Sequence, residues 1–221
     1  MENENQNNLK GGKTNIEMYV QIGIIAILLI VIGFNAGRSY NSGTGLVTGV
    51  GTVSASEIIP KGIPSIYGKE LGISYDDVSS NNPQLADTTI NKLSQYEDKE
   101  LTKEQLDRYI KIGSSISCEY CCGAKSIIFS NGERACGCAH SYAMRGIAKY
   151  LLINHPDMTN EEILSELGKW KVLFFPGIHE QKAQVLKSQG IDPSNYINLA
   201  SNLYRGIEQG QSSSGGMVGG C

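Results

Sequence analysis

The chain reads as a mainly α protein: a single N-terminal transmembrane helix, then a small helical domain with a zinc-ribbon-like β-hairpin cysteine knuckle. Three observations predict this class. An uncharged apolar run fills residues 18–34, and apolar residues recur with helical spacing between capping signals from residue 82 onward. Five of the six cysteines fall between Cys118 and Cys138, with His140 just beyond.

Residues 1–17 form an N-terminal tail. The run MYVQIGIIAILLIVIGF that follows holds one polar residue, Gln21. About eleven Ile, Leu, Val and Phe side chains, each worth about −0.3 to −0.6 kcal/mol on insertion, outweigh it. A transmembrane helix over 18–36 is therefore expected. The small-residue sequence Val53-Ser54-Ala55 lies about twenty residues beyond the run, too far for ordinary signal cleavage, so an uncleaved signal-anchor is favoured. Lys10 and Lys13 precede the span and Arg38 follows it. The positive-inside rule then places the C-terminal domain outside the cytoplasm, with the cell membrane as its first partner. Gly33 and Gly37 stand at the small-residue spacing that lets helices approach closely.

Residues 37–57 mix Gly, Ser, Thr and Val and read as a flexible linker. Gly43, Gly45 and Gly49 miss the dinucleotide fingerprint by one residue and lack its strand–helix setting. The helical domain spans 58–209 and begins with an irregular arm. Asn82 with Pro83 reads as an N-cap with proline in the first turn, followed by the face Ala86, Ile90, Leu93 and Tyr96. Thr102 with Gln105 forms a capping box ahead of Leu106, Tyr109, Ile110 and Gly113. Ala143, Ile147, Tyr150 and Leu151 mark a third helix, stopped at His155-Pro156. Thr159 with Glu162 opens a fourth, carrying Ile163, Leu167, Trp170 and Phe174 until Pro176-Gly177. Two more stretches follow, over 179–188 and 193–209, the second with Tyr196, Ala200, Leu203 and Ile207. Residues 210–221 are Gly- and Ser-rich and read as a disordered tail ending in Cys221.

The cysteine knuckle occupies 118–140. Between Cys118-Glu-Tyr-Cys121-Cys122 and Cys136-Gly-Cys138-Ala-His140 lies Asn131-Gly132, a strong hairpin signal because both residues tolerate positive φ. A two-residue loop would pair Ser130 with Glu133, Phe129 with Arg134 and Lys125 with Cys138. The two cysteine groups would then meet. Thiolates and imidazole bind zinc, copper(I) and iron–sulfur clusters. One tetrahedral set is Cys118, Cys121, Cys136 and Cys138, with Cys122 and His140 as alternates. Six donors exceed what a closed zinc site needs, which suits a site that hands metal on, or a polynuclear copper(I) or iron–sulfur site. Met144, a turn after His140, is a further soft donor or plain packing.

Two other uses of the thiols stand beside metal binding. Six cysteines permit 15 disulfide pairings in an oxidising compartment. A redox-active dithiol at Cys118–Cys121 or Cys121–Cys122 is the third. Glu119 and Tyr120 supply no helix N-terminus or base to depress a thiol pKa, and Lys125 would do so only weakly. His155 and His179 follow helix-end signals and read as capping or surface residues. Cys221, on its tether beside Met217, can reach a distant site to capture or deliver a metal, cross-link two chains, or serve no function.

With these residues in view, the chain resembles a group of archaeal membrane-anchored cysteine-rich proteins sharing Cys-x-x-Cys-Cys and Cys-Gly-Cys-Ala-His, over about 58–190. Cys136-Gly-Cys138-Ala-His140 with the helix after Thr159 is more loosely similar to bacterial PCYCGC-motif lipoproteins. The layout is also similar to that of cytochrome c maturation thiol proteins. These resemblances imply metal binding or thiol exchange.

The expected function is extracytoplasmic binding or trafficking of zinc or copper(I), with a metal donor or acceptor protein as partner. The alternatives are a thiol–disulfide oxidoreductase or redox sensor, and an interaction scaffold held by structural zinc. No His-Glu-x-x-His, Gly-x-Ser-x-Gly or P-loop motif argues for catalysis. A formal charge of −3 gives no electrostatic reason to expect nucleic acid.

Overall fold

The computed structural model describes residues 18–21, 24, 52–210 and 216–219. The chain divides into two units, Met1–Gly49 and Val50–Cys221. In the first, residues 18–21 and 24 are helical and exposed. The rest of the apolar run and the Gly33/Gly37 pair lie outside the described residues.

The second unit is helical, and its helices begin where side chains can hold their first N–H groups. Helix α1 (Ala55–Ile58) starts on a Ser54/Glu57 capping box, so the end of the expected linker is ordered. Helix α2 (Gly68–Leu71) leads to a 3-10 turn at Tyr75–Asp77. Asn82 caps α3 (Pro83–Ser94), and the Thr102/Gln105 box caps α4 (Lys103–Ser114). The single turn α5 (Glu119–Cys122) precedes α6 (Ala139–Asn154). The Thr159/Glu162 box opens α7 (Asn160–Phe174). Pro176 does more than end α7: it occupies the first turn of α8 (Pro176–Ser188), and Phe175 is the cap shared by both.

Helix α6 is the central strut, packed against α3, α4 and α7. It is buried nearly all round, from His140 to Leu152. At Gly146 a β-carbon would stand 2.0 Å from the Leu93 carbonyl oxygen, so only glycine lets α3 cross there. Around this strut lie Ile90, Tyr109, Ile112, Met144, Leu151, Leu167, Trp170 and Phe174. A smaller apolar cluster joins Val53, Ile58, Val172, Leu186 and Leu199.

Several expectations are corrected. No helix among the described residues is long and apolar enough to cross a membrane. The longest, α6, has 16 residues, short of the roughly 20 a span requires, and carries the buried Arg145. The expected single-pass anchor, and the cell-membrane, extracytoplasmic placement derived from it, are not supported by the structure.

The β-hairpin knuckle is also absent: the described residues contain no strand there, only one antiparallel bridge between Ile128 and Arg134. The turn is one residue longer than expected. Phe129 N–H donates to Glu133 O at 2.7 Å and Gly132 N–H to Phe129 O at 2.9 Å, leaving Ser130, Asn131 and Gly132 in the loop. A two-residue loop of the expected kind needs positive φ at both residues, but only Gly132, at φ 86°, has it. Asn131 instead accepts from Glu133 N–H through its side chain. The ladder ends early because other groups take its polar atoms: Ile127 N–H donates to Ile116 O at 3.0 Å.

The expected helix over 193–209 is shorter too, being α9 (Tyr196–Ala200) and a 3-10 turn at Asn202–Tyr204. Ser201 is extended and caps the turn, while Asn202 N–H donates to Ser115 O at 2.8 Å. Residues 216–219, within the expected disordered tail, lie against α6 and α7. Val218 N–H donates to Phe174 O at 2.9 Å, and the Val218 side chain is buried.

Candidate metal centre

The site is built from two helix starts. Cys118 is the N-cap position of α5, whose single turn brings Cys121 and Cys122 round beneath it, with Cys122 N–H on Cys118 O at 3.2 Å. Gly123, at φ 68°, ends that turn. The chain then runs out to the Asn131-Gly132 loop and back, delivering Cys136 and Cys138. Cys138 is the N-cap of α6, and its sulfur accepts the Ser141 N–H at 3.4 Å. His140 follows in the first turn and is fully buried.

Cys118 and Cys138 place their sulfurs 3.1 Å apart, and Cys136 and Cys138 place theirs 3.5 Å apart. Cys122 and Cys136 stand at disulfide distance, with Sγ atoms at 2.19 Å and Cα atoms at 6.7 Å. All six sequence-predicted donors converge in two groups, each with its ligand atoms within 4.8 Å of one another. One is Cys118, Cys121, Cys138 and His140; the other is Cys118, Cys122, Cys136 and Cys138. The anticipated set Cys118, Cys121, Cys136 and Cys138 is thus divided between them. Cys118 and Cys138 belong to both. This cysteine and histidine cluster can hold a metal ion, since its donors are the thiolates and imidazole that soft and borderline cations take.

Charge within the pair is uneven. The hydrogen bond from Cys118 holds the Cys138 thiol well below the usual range, with His140 and Ser141 adding to it. The Cys118 thiol is pushed up by the same bond and by burial. The first turn of α6 adds a smaller part of that lowering through the Ser141 N–H, and Lys125 is not among the causes.

His140 is held from behind. Its Nε2 lies 2.8 Å from Val218 O. A carbonyl only accepts, so this bond keeps a proton on Nε2, and Nδ1 is then the nitrogen that could meet a metal ion. The ring packs on Phe174 and Phe175, with centroids 4.6 and 5.0 Å away.

Two groups that sequence reasoning missed position the thiols. Arg145 is buried in α6, pairs with Glu97, and donates to the carbonyls of Cys136 at 2.9 Å and Ile127 at 3.0 Å. A lone arginine in an otherwise apolar helical face was the available signal. Behind α5, Glu119 is held by Lys171 at 3.1 Å and Arg205 at 2.7 Å. Lys182 is buried nearby, with no hydrogen-bond partner for its Nζ among the described residues; burial, then the Lys171 charge, push its pKa down to about 8.

Among the described residues, the other candidates belong to neither group. Met144 packs in the apolar core. His155 sits by Glu70, at 3.3 Å. His179 is fully buried, its Nδ1 donating to Phe175 O at 2.8 Å. Met217 is exposed, and Cys221 lies outside the described residues. No family model matches the chain, and no curated protein or solved structure matches it.

Proposed function

We propose that this protein binds a soft or borderline metal ion, zinc or copper(I), and passes it to or takes it from a partner protein. The observation that carries this reading is the overlap of the two donor groups at Cys118 and Cys138. A structural site is closed around four ligands and needs no second set. Two sets sharing half their donors give a metal two neighbouring positions, and stepwise ligand replacement moves it between them. Cys122 is the exposed end of this arrangement and Cys118 the buried end, so exchange with a partner takes place at Cys122.

The test is metal titration of the full chain, fully reduced and anaerobic, with zinc(II) and copper(I) against chromophoric chelators. About one equivalent is expected to bind, with release to a competing chelator while the fold persists by circular dichroism. Cys118→Ser and Cys138→Ser each disable both groups, whereas Cys122→Ser leaves the His140 group complete. Reduced protein that binds neither ion sinks the proposal, and metal released only on unfolding assigns it a structural role instead.

A further inference from the structure

The sulfurs of four cysteines form a line from surface to core. Cys122 is exposed and stands at disulfide distance from Cys136. Cys136 Sγ is 3.5 Å from Cys138 Sγ, which is 3.1 Å from the fully buried Cys118 Sγ. Each sulfur touches the next. Thiol–disulfide exchange requires a thiolate in contact with one sulfur of a disulfide, whose other sulfur then leaves. Cys138 meets that requirement for the Cys122–Cys136 pair, and Cys118 meets it for whatever bond Cys138 makes.

We propose that a disulfide at Cys122–Cys136 migrates inward by two internal exchanges to Cys118–Cys138, and that its arrival closes both metal-donor groups. In the first exchange the Cys138 thiolate attacks Cys136 Sγ. The Cys136–Cys138 bond forms, the Cys122–Cys136 bond breaks, and Cys122 leaves as a thiolate and takes up a proton. In the second, Cys118 gives up its proton and attacks Cys138 Sγ. The Cys118–Cys138 bond forms, the Cys136–Cys138 bond breaks, and Cys136 leaves as a thiolate that is reprotonated. One disulfide and two thiols are present at the start and at the end, so no oxidant or reductant is consumed. The intermediate closes a small Cys-x-Cys ring, which makes it transient.

The consequence depends on where the bond rests. At Cys122–Cys136 it removes two donors from one group and none from the other. At Cys118–Cys138 it removes two donors from each. The exchange stands on the sulfur positions alone, and only its effect on metal rests on the binding proposed above.

The experiment follows the full-length, metal-free chain prepared with the Cys122–Cys136 disulfide formed and its other cysteines reduced, in mildly alkaline buffer. Samples are quenched in acid, alkylated with N-ethylmaleimide, digested and mapped by mass spectrometry. Cys122 and Cys136 are expected to become alkylated as Cys118 and Cys138 become protected, and Cys118→Ser is expected to keep Cys122–Cys136, because the small-ring intermediate then has no second exchange to relieve it. Wild-type protein in which Cys118 and Cys138 stay alkylatable while Cys122–Cys136 persists overturns the migration, whether or not the variant folds. Zinc(II) added to each form separates the two claims: the outer-disulfide form binds it and the inner form does not. Equal binding by both forms overturns the switch. Migration without zinc binding by either form leaves the exchange standing and removes the metal reading with the switch.

Discussion

Arg145 and Glu97 meet at 2.5 Å in the interior, with neither side chain more than 3% exposed. Arg134 reaches the other Glu97 oxygen at 2.7 Å, so one carboxylate ties α6 to the returning arm of the cysteine loop. Arg145→Met leaves that carboxylate buried and frees the carbonyls of Ile127 and Cys136. A loss of about 3–5 kcal/mol is expected, read from urea unfolding of the full chain. Adding Glu97→Gln is expected to recover part of it, because a buried carboxylate left with the half-exposed Arg134 as its partner is removed too.

Cys138 joins scaffold and chemistry, and two substitutions separate them. Serine retains an oxygen to cap α6, whereas alanine does not. Cys138→Ala is expected to be less stable than Cys138→Ser by about 1 kcal/mol. Metal binding is expected to fall equally in both. A stability difference near zero means that the sulfur does not cap the helix.

Lys182 makes stability rise with pH. Its folded pKa of about 8 lies below the ordinary value of 10.5, so the folded state holds the charged form less well than the unfolded state does. The penalty is complete below about pH 8 and disappears as pH rises through 10.5. Lys182→Met is therefore expected to stabilise the protein at neutral pH, by on the order of 2–3 kcal/mol. Thermal unfolding across this range checks it: the gain shrinks as pH increases, and a constant gain assigns it to packing.

The crossing of α3 and α6 admits no side chain at Gly146, where a β-carbon would meet the Leu93 carbonyl oxygen at 2.0 Å. Gly146→Ala is expected to cost about 1–3 kcal/mol, despite the better helix propensity of alanine. Chemical denaturation gives the sign directly.

His140 depends on the tail for its proton position. Gly219, at φ 84°, lies where a β-carbon would stand 2.3 Å from Ile90 Cδ1. Gly219→Val displaces this segment and leaves Cys221 in the chain. Metal affinity is expected to drop about 10- to 100-fold, the scale of losing a partner behind a ligand. Competition with a chelator measures it, and unchanged affinity excludes His140 as a ligand.

The helices were legible because their signals are local. Asn82, Thr102 and Thr159 each hold an N–H group three residues on, at Leu85, Gln105 and Glu162. The cysteine positions brought together were legible as a cluster for the same reason, all lying between Cys118 and His140. What was not legible depends on distant partners. Arg145 meets Glu97 from 48 positions away, and His140 meets Val218 from 78. The loop register turned on the backbone of Asn131, whose side chain satisfied Glu133 N–H without entering the left-handed region. The last expected helix failed at Ser201 and Asn202, where bonds to α4 and its flank replaced the helical ladder.

The atom that caps α6 is a sulfur, so the first turn of that helix and the donor cluster have one residue in common. Cys138 Sγ accepts the Ser141 N–H at 3.4 Å while standing in both donor groups. A substituent on that sulfur changes the charge and the direction of the acceptor that the Ser141 amide meets. Backbone amide exchange at Ser141 is therefore the place in the fold where the state of the thiols can be read.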